Sequence, residues 1–281
     1  MLVLLGPRFA ATDAELAALA DATGMLAYDL RTRLRPGAWG VLRSLAADEQ
    51  AVELAEYLQT LGFEAVSVDP SVGQDATRRV VYVKALELLS DAINVRLSER
   101  EMAIPYGALL TIVRGEVQLG RSPWPSTLGG ASGQMRSAAA STPFRSSNPV
   151  TAEVSVFRES RTSGVQDVFT AADIHFFTVN WVARIDARDF EFPSSIPTHR
   201  NLAERLDHFV DLLAQRCEIR VDRGLRASSL ASYTADVQRV PSQSSPPGSR
   251  RQGSSSDEHF DAYSRLVAEA ERQSRLLVHK V

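Results

Sequence analysis

The stretch MAIPYGALLTIVRGEVQL, residues 102–119, decides how we interpret the second half of the chain. Strand-forming residues run through it, but Pro105, Tyr106 and Gly107 interrupt them. Proline has no N–H to donate to a sheet, so it is tolerated at a strand boundary and avoided in the middle of a central strand. The stretch therefore predicts two strands that meet at a corner, with Pro105 at the boundary and Tyr106 packed near the corner.

Similar strand-like runs lie on both sides of this stretch. Residues 78–89 (RRVVYVKALELL) and 91–99 (DAINVRLSE) precede it, and residues 172–192 (ADIHFFTVNWVARIDARDFEF) follow it. Residues 198–217 (THRNLAERLDHFVDLLAQRC) then have the spacing of an amphipathic helix, with Thr198 as the predicted N-cap. The predicted apolar face of this helix consists of Leu202, Leu206, Phe209, Val210 and Leu213.

These short strands, the Ile-Pro-Tyr corner and one closing helix together resemble a bacterial pleckstrin-homology-like (PH-like) domain. The resemblance covers residues 80–226 and is carried by DAINVRLSE, AIPYGALLTIV, DIHFFTVNW, DFEFP and the helix of residues 198–217. It implies a small antiparallel barrel that is plugged at one end by its C-terminal helix.

The first 70 residues predict a separate, smaller domain. Two helices are expected, residues 12–24 (TDAELAALADATG) and 48–62 (DEQAVELAEYLQTLG). Thr12 and Glu15 form a capping-box pattern at the start of the first helix, and Gly24 is placed to end it. In the second helix, Val52 and Leu61 are expected to face the core with Ala55 and Leu58.

Four strands are expected around these helices. They are residues 1–5 (MLVLL), 25–34 (MLAYDLRTRL), 38–45 (AWGVLRSL) and 63–70 (FEAVSVDP). The order β-α-β-β-α-β is that of the ferredoxin-like arrangement. We therefore expect an α+β protein in which a ferredoxin-like domain, residues 1–70, precedes the PH-like domain, residues 80–226.

Two segments have a composition typical of disorder. Residues 120–165 are rich in Ser, Gly, Ala and Pro and predict a disordered insertion within the PH-like domain. Residues 228–255 predict a second disordered segment, a linker that leads to an amphipathic helix at residues 256–280.

The terminal helix carries one narrow apolar stripe. Phe260, Tyr263, Val267 and Leu277 lie on it, and much of the remaining surface is charged. A lone helix of this length is only marginally stable in water, so the stripe should bury itself. Three ways to bury the stripe stay open: the helix docks on its own chain, lies in the groove of a protein partner, or pairs with a copy of itself. These four residues are the predicted partner-binding residues.

Bulk charge and cysteine content exclude some functions and locations. The net charge of −3 argues against a dedicated nucleic-acid-binding protein, which usually carries a basic excess. Cys217 is the single cysteine, so the chain cannot form an internal disulfide. The five apolar residues that open the chain are too few for a secretory signal, and a membrane span is not expected. We expect a cytoplasmic protein.

No pattern in the sequence predicts a catalytic residue, a cofactor or a metal. His199 and His208 are nine residues apart, whereas helical metal-binding pairs are typically four apart. Cys217 is expected at the C-terminal end of a helix, where the dipole does not favour a thiolate. Asp186 and Asp189 fall in a predicted turn without a histidine or serine partner.

Three functions are compatible with these observations. The first is a non-enzymatic cytoplasmic adaptor or regulatory protein that binds an unknown protein partner. The second is a module for membrane surfaces or lipid headgroups, because some PH-like domains bind phosphoinositides, although the sequence has no dense Lys/Arg cluster. The third is a small-molecule-binding protein or an enzyme of unknown reaction.

Overall fold

The computed structural model describes residues 1–75, 77–98, 100–119, 167–177, 179–225 and 256–278. Its N-terminal part contains strands β1 (Leu2–Leu5), β2 (Gly40–Ser44) and β3 (Ala65–Val68) and helices α1 (Asp13–Thr23), α2 (Ala27–Arg33) and α3 (Asp48–Thr60). The strands form an antiparallel sheet in the order β2-β1-β3.

Helix α1 begins and ends as its sequence predicts. The Thr12 side chain accepts a hydrogen bond from the Glu15 backbone N–H at 3.2 Å, and the Glu15 carboxylate accepts one from the Thr12 N–H at 3.0 Å. Gly24 follows the helix with φ of 67°, a left-handed conformation that glycine adopts without steric cost. The predicted capping box is confirmed.

The predicted strand at residues 25–34 is wrong, because this segment contains helix α2. Alternation of apolar residues suggested a strand, yet Leu26 and Tyr28 are 71% and 75% exposed. The buried residues are Leu30 and Leu34, which are four apart and therefore lie on one helical face. The helix has Asp29 in its first turn and basic residues in its last turn, which favours its macrodipole.

The N-terminal sheet consequently lacks the fourth strand of the predicted ferredoxin-like arrangement. The described elements follow the order β-α-α-β-α-β instead of β-α-β-β-α-β. In α3 the structure buries Ala55 and Leu58 as expected but leaves Val52 40% and Leu61 44% exposed. The coarse prediction of an α+β protein is confirmed.

The second part of the chain supplies two more sheets. Its elements are β4 (Arg79–Tyr82), β5 (Ala85–Leu88), β6 (Ala92–Arg96), β7 (Glu101–Pro105), β8 (Leu109–Leu119), β9 (Asp167–Phe176), β10 (Trp181–Asp186), α4 (Leu202–Cys217) and β11 (Val221–Leu225). One sheet has the order β11-β8-β9-β10-β4 and the other β5-β6-β7. The larger sheet is mixed, because β11 and β4 pair in parallel with their neighbours, so the expectation of a purely antiparallel barrel is wrong.

The corner in the stretch of residues 102–119 is where the sequence predicts it. Strand β7 ends at Pro105, and a single 3-10 turn, Tyr106–Ala108, leads into β8. The Tyr106 hydroxyl donates a hydrogen bond to the Leu89 carbonyl at 2.6 Å. This bond ties the corner to the end of the neighbouring β5–β6 hairpin.

Helix α4 covers a core that both sheets share. It begins at Leu202, and its N-cap is Asn201, whose side chain accepts a hydrogen bond from the Glu204 N–H at 2.8 Å; the N-cap predicted at Thr198 is wrong. The predicted apolar residues of the helix are buried in that core except Leu202, which is 43% exposed.

The terminal helix α5 (Ser256–Val278) packs between the N-terminal sheet and the five-stranded sheet. The shared core contains Leu2 and Leu4 from β1, Val113 and Phe169 from the larger sheet, and Phe260 from the helix. The described residues of the N-terminal part, of the two further sheets and of α5 accordingly belong to one compact unit. The predicted insertion, residues 120–165, and the predicted linker, residues 228–255, lie outside the described residues. No helix within the described ranges is long and apolar enough to cross a bilayer.

Candidate functional site

The four residues predicted to bind a partner differ in burial. Phe260 and Val267 are fully buried and Tyr263 is 6% exposed, all three inside the core that α5 shares with the chain's own sheets. Leu277 lies in the last turn and is 38% exposed. The helix therefore docks on its own chain, and of these four side chains Leu277 alone is accessible while it stays docked.

Glycines in the surrounding elements make room for α5. A Cβ at Gly115 in β8 would lie 2.6 Å from the Phe260 ring. A Cβ at Gly224 in β11 would lie 2.5 Å from the Tyr263 hydroxyl, and a Cβ at Gly73 would lie 3.2 Å from the Ala262 carbonyl oxygen, a looser contact. The docking surface is thus shaped for the side chains of this particular helix.

Hydrogen bonds between buried polar groups also connect α5 to the larger sheet. Arg184 donates two hydrogen bonds to Asp173, at 2.7 and 2.8 Å, and a third to Asp261 of the helix at 2.5 Å. Ser264 of the helix donates to Asp173 at 2.8 Å, and its oxygen lies 2.6 Å from His175 Nε2. Burial by itself lowers the pKa of the Arg184 guanidinium. The charges of Asp173 and Asp261 and their hydrogen bonds to Arg184 outweigh this effect and raise the pKa above its usual value.

This group contains a serine, a histidine and an aspartate, but its geometry is unsuited to nucleophilic catalysis. Ser264 gives its single proton to Asp173, so the facing His175 Nε2 must carry a proton and cannot act as its base. Ser264 is fully buried and His175 is 2% exposed, so a substrate cannot reach either group. Burial, together with the charges of Arg78 and Arg184, lowers the pKa of His175 to about 3. The cluster serves to hold α5.

A second buried group joins the helix to the N-terminal part of the chain. Asp222 accepts hydrogen bonds from the Trp39 N–H at 2.6 Å, the Gly224 N–H at 2.9 Å and the Tyr263 hydroxyl at 2.8 Å. The Trp39 indole N–H donates to Glu271 of α5 at 3.3 Å. Burial raises the pKa of Asp222, and its hydrogen bonds to the two N–H groups oppose that rise.

The remaining sequence candidates are not brought together into a catalytic group. Burial raises the pKa of Cys217 to about 11, although Arg216 opposes the rise, so the thiol is not activated. Asp186 accepts hydrogen bonds from Arg188 within the predicted turn. Among the described residues, no group of three or more His, Cys, Asp or Glu side chains is placed to hold a metal ion.

A groove lies beside β5, and we call it the β5 groove. Its cavity has a volume of about 490 Å³. Strand β5 forms one side, residues 191–196 after β10 form the other, and Phe209 and Leu212 of α4 line the end. Phe192 in this wall packs edge-on against Phe190 at 4.9 Å between ring centroids, and Arg205 lies 4.4 Å over its ring.

The edge of β5 that faces this groove presents free backbone groups. Leu89 donates its N–H to the Ala92 carbonyl, so these two residues form a hydrogen-bonded pair of the β5–β6 ladder. Because such pairs alternate in antiparallel sheets, Glu87 pairs with Asn94 in the same way, and the N–H and C=O of Leu86 and Leu88 point away from β6. Within the described residues, β5 is an outer strand whose other contact is one parallel bridge from Ala85 to Glu191, in which Glu191 donates its N–H to the Lys84 carbonyl and accepts a hydrogen bond from the Leu86 N–H. The unpaired groups of this edge are therefore the C=O of Leu86 and the N–H and C=O of Leu88.

The rim of the β5 groove is acidic. Glu87 and Glu101 lie on the outer face of the small sheet, and Glu191 lies across the groove. Arg96 is the one basic residue that lines the cavity, and it forms an ion pair with Glu191. Glu101 lies opposite Arg96 and accepts a hydrogen bond from the Asn94 side chain at 3.4 Å, and the three glutamates together leave the rim with a net negative charge.

Sequence reasoning missed this site, although part of the signal was present. The segment ALEL alternates apolar residues with Glu87, which is typical of a strand with one solvent-facing side. Its position as an outer strand follows from pairing with a distant element, which local pattern does not reveal.

Comparison of the chain with protein-family models, with curated proteins and with solved structures gives no match. The geometry of the site is therefore the basis for the functional conclusion.

Proposed function

We propose that this protein is a non-enzymatic adaptor that binds an extended segment of a protein partner in the β5 groove. The observation that carries this proposal is the outer edge of β5, whose unpaired backbone groups lie along a cavity of about 490 Å³. An added strand is a standard way for a sheet edge to bind a peptide, because main-chain hydrogen bonds supply affinity and side-chain pockets supply specificity.

The backbone contacts would come from Leu86 and Leu88. Leu88 presents one donor and one acceptor toward the groove, and Leu86 presents its carbonyl, because the Leu86 N–H is used in the bridge to Glu191; an extended segment of a few residues can form a short ladder with them. The bridge between Ala85 and Glu191 narrows one end of the groove and sets where the added strand ends.

The side-chain contacts define the class of segment. The apolar walls, which include Phe192 and Leu212, suit an apolar side chain that points into the cavity. The charge of Glu87, on the outer face of β5, suits a Lys or Arg on the opposite side of the added strand. The expected ligand is an extended segment that combines an apolar anchor with a basic residue.

The other functions have less support. An acidic rim repels anionic lipid headgroups, so a membrane-surface role for this groove is disfavoured. The cavity volume lies within the usual range for small-molecule sites, so a small ligand is the second candidate.

The resemblance to PH-like domains is part of the proposal, supported by two sheets that share a core under α4. A cytoplasmic location is also proposed, supported by the single cysteine.

The test is selection from a displayed library of random peptides with the full chain as bait. We expect selected peptides to share an apolar residue and a nearby Lys or Arg. Reversing the rim charge with Glu87→Lys should weaken their binding at least about tenfold, a loss of about 1.4 kcal/mol.

Glu53→Lys is the matched control, because it makes the same charge change at an exposed position of α3 away from the groove. It should leave the affinity unchanged. Selected peptides that bind the Glu87→Lys chain as tightly as the original chain would contradict the proposal. A screen that yields a small molecule that binds in the groove, and no peptide, would favour the second candidate.

A further inference from the structure

A second outer strand, β3, lies at the bottom of a different groove, which we call the β3 groove. Two cavities, of about 230 and 270 Å³, follow this strand between α3 and the last turns of α5. Val52 of α3 is 40% exposed, and Leu276 and Leu277 of α5 are 57% and 38% exposed. The groove is separate from the β5 groove and shares no lining residue with it.

The edge of β3 presents backbone groups in the same alternating way. Gly6 donates its N–H to the Glu64 carbonyl, so the hydrogen-bonded pairs of the β1–β3 ladder include Gly6 with Glu64 and Leu4 with Val66. The N–H and C=O of Ala65 and Ser67 therefore point outward. The Gln59 side-chain amide donates to the Ala65 carbonyl at 2.7 Å, which agrees with this direction.

The composition of β3 distinguishes it from the other outer strands. Of the six outer strands in the described part of the chain, five contain a charged residue, whereas β3 has the sequence AVSV. Proteins commonly protect exposed edges with charged residues, because a bare edge pairs with another strand. An uncharged edge between exposed apolar side chains is typical of a strand that is paired in the assembled protein.

We propose that the β3 edge pairs with β3 of a second copy of this chain and forms a homodimer with one continuous sheet. Antiparallel pairing around a two-fold axis at Val66 places Ala65 opposite Ser67 of the other copy. This register uses the N–H and the C=O of both residues in both copies, so the edge is complementary to itself. Gln59 must release the Ala65 carbonyl when the strand enters.

Charges at the two ends of the β3 groove also fit this symmetry. Arg8 lines the cavity at the Ala65 end, and Glu56 lines the cavity at the Ser67 end. The two-fold axis brings the Arg8 end of one copy to the Glu56 end of the other. Opposite charges then face each other across the interface, and the leucines of the two α5 helices add apolar contact.

The test is the mass of the full chain in solution by light scattering, together with sedimentation equilibrium over a range of concentrations. We expect reversible association to twice the 30.7 kDa of the monomer. Ser67→Pro removes an outward N–H, and outer strands tolerate proline at such a position, so it should raise the dimer dissociation constant at least about tenfold. Leu276→Glu should have a similar effect without touching the core.

Two controls make the result specific. Leu202→Glu introduces the same charge at an exposed leucine of α4 and should not change the dissociation constant. Arg8→Glu should weaken the dimer several-fold, and adding Glu56→Arg to the same chain should restore it. A chain that stays monomeric at millimolar concentration would overturn the proposal. So would a dimer that is unaffected by both Ser67→Pro and Leu276→Glu.

Discussion

The ring of Phe260 occupies the space that a side chain at Gly115 would need. A Cβ at Gly115 would lie 2.6 Å from Cε2 and 2.8 Å from Cδ2 of this ring, and Phe260 is fully buried. The contact joins the terminal helix to β8, the longest strand among the described residues, so a change at Gly115 tests whether α5 is docked.

Gly115→Ala should therefore destabilise the protein. Forcing a methyl group into a packed core typically costs about 1–3 kcal/mol, because neighbouring side chains must leave their preferred positions. The free energy of unfolding in urea measures this loss. Adding Phe260→Leu should recover part of it, because the smaller side chain leaves room for the new methyl group.

The control for this change is Gly107→Ala, since a Cβ at Gly107 would meet no atom within 4 Å. It should change the free energy of unfolding by less than about 0.5 kcal/mol. Equal effects at the two glycines would mean that α5 does not dock as described.

Arg184→Met should be more damaging than any surface charge change. It leaves Asp173, which is 1% exposed, without its cation, and breaking one side of a buried pair typically costs about 3–5 kcal/mol. Arg223→Met is the comparison, because Arg223 and its partner Asp211 are 43% and 61% exposed. That change should cost less than about 1 kcal/mol. Similar losses in urea unfolding for the two variants would contradict a buried anchor at Arg184.

The anchor at Arg184 also shows what the sequence could not provide. A strand with Asp173 and His175 in it suggests a solvent-facing side, yet both residues are buried. Their burial depends on α5, which reaches them from the far end of the chain. The apolar stripe of α5 was predictable from helical spacing, whereas its docking surface, shaped by Gly115 and Gly224, is a tertiary feature.

Local features were predicted best where the sequence signal spans only a few residues. The capping box of α1 and the boundary at Pro105 are of this kind. The segment of residues 25–34 failed because alternating apolar residues at Leu26, Tyr28 and Leu30 imitate a strand. The two outer edges, at β5 and β3, could not be predicted, because strand order depends on long-range pairing.

The effects of alanine substitutions at Leu30 and Tyr28 on stability test whether this segment is the helix α2 or a strand. Leu30→Ala should destabilise the protein by about 2–5 kcal/mol, because it removes a fully buried side chain. Tyr28→Ala should change stability by less than about 0.5 kcal/mol, because the tyrosine is 75% exposed. A strand would bury both residues on one face, so comparable losses in thermal or urea unfolding would favour a strand at this segment.

His175 should make stability depend on pH. Its pKa of about 3 in the folded protein lies below the unfolded value near 6.5, so the unfolded chain binds the extra proton first. The stability that comes from keeping it neutral is complete above pH 6.5 and is lost as pH falls toward 3. Between pH 7 and pH 5 the expected loss is about 2 kcal/mol.

The measurement is urea unfolding at both pH values for the original chain and for His175→Gln. The variant should lack this part of the pH dependence, and the difference between the two chains isolates the histidine from other titrating groups. Burial is the main cause of the low pKa of His175, and the charges of Arg78 and Arg184 add to it. Parallel pH profiles for the two chains would refute a buried neutral His175.

The central claim, that the free edge of β5 receives an added strand, is tested most directly by amide hydrogen exchange resolved by residue. In the chain alone, the amide of Leu88 should exchange faster than that of Glu87, which is bonded to β6. On addition of a selected peptide, Leu88 should become protected while Glu87 changes little. Unchanged exchange at Leu88 under saturating peptide would contradict the addition of a strand at this edge.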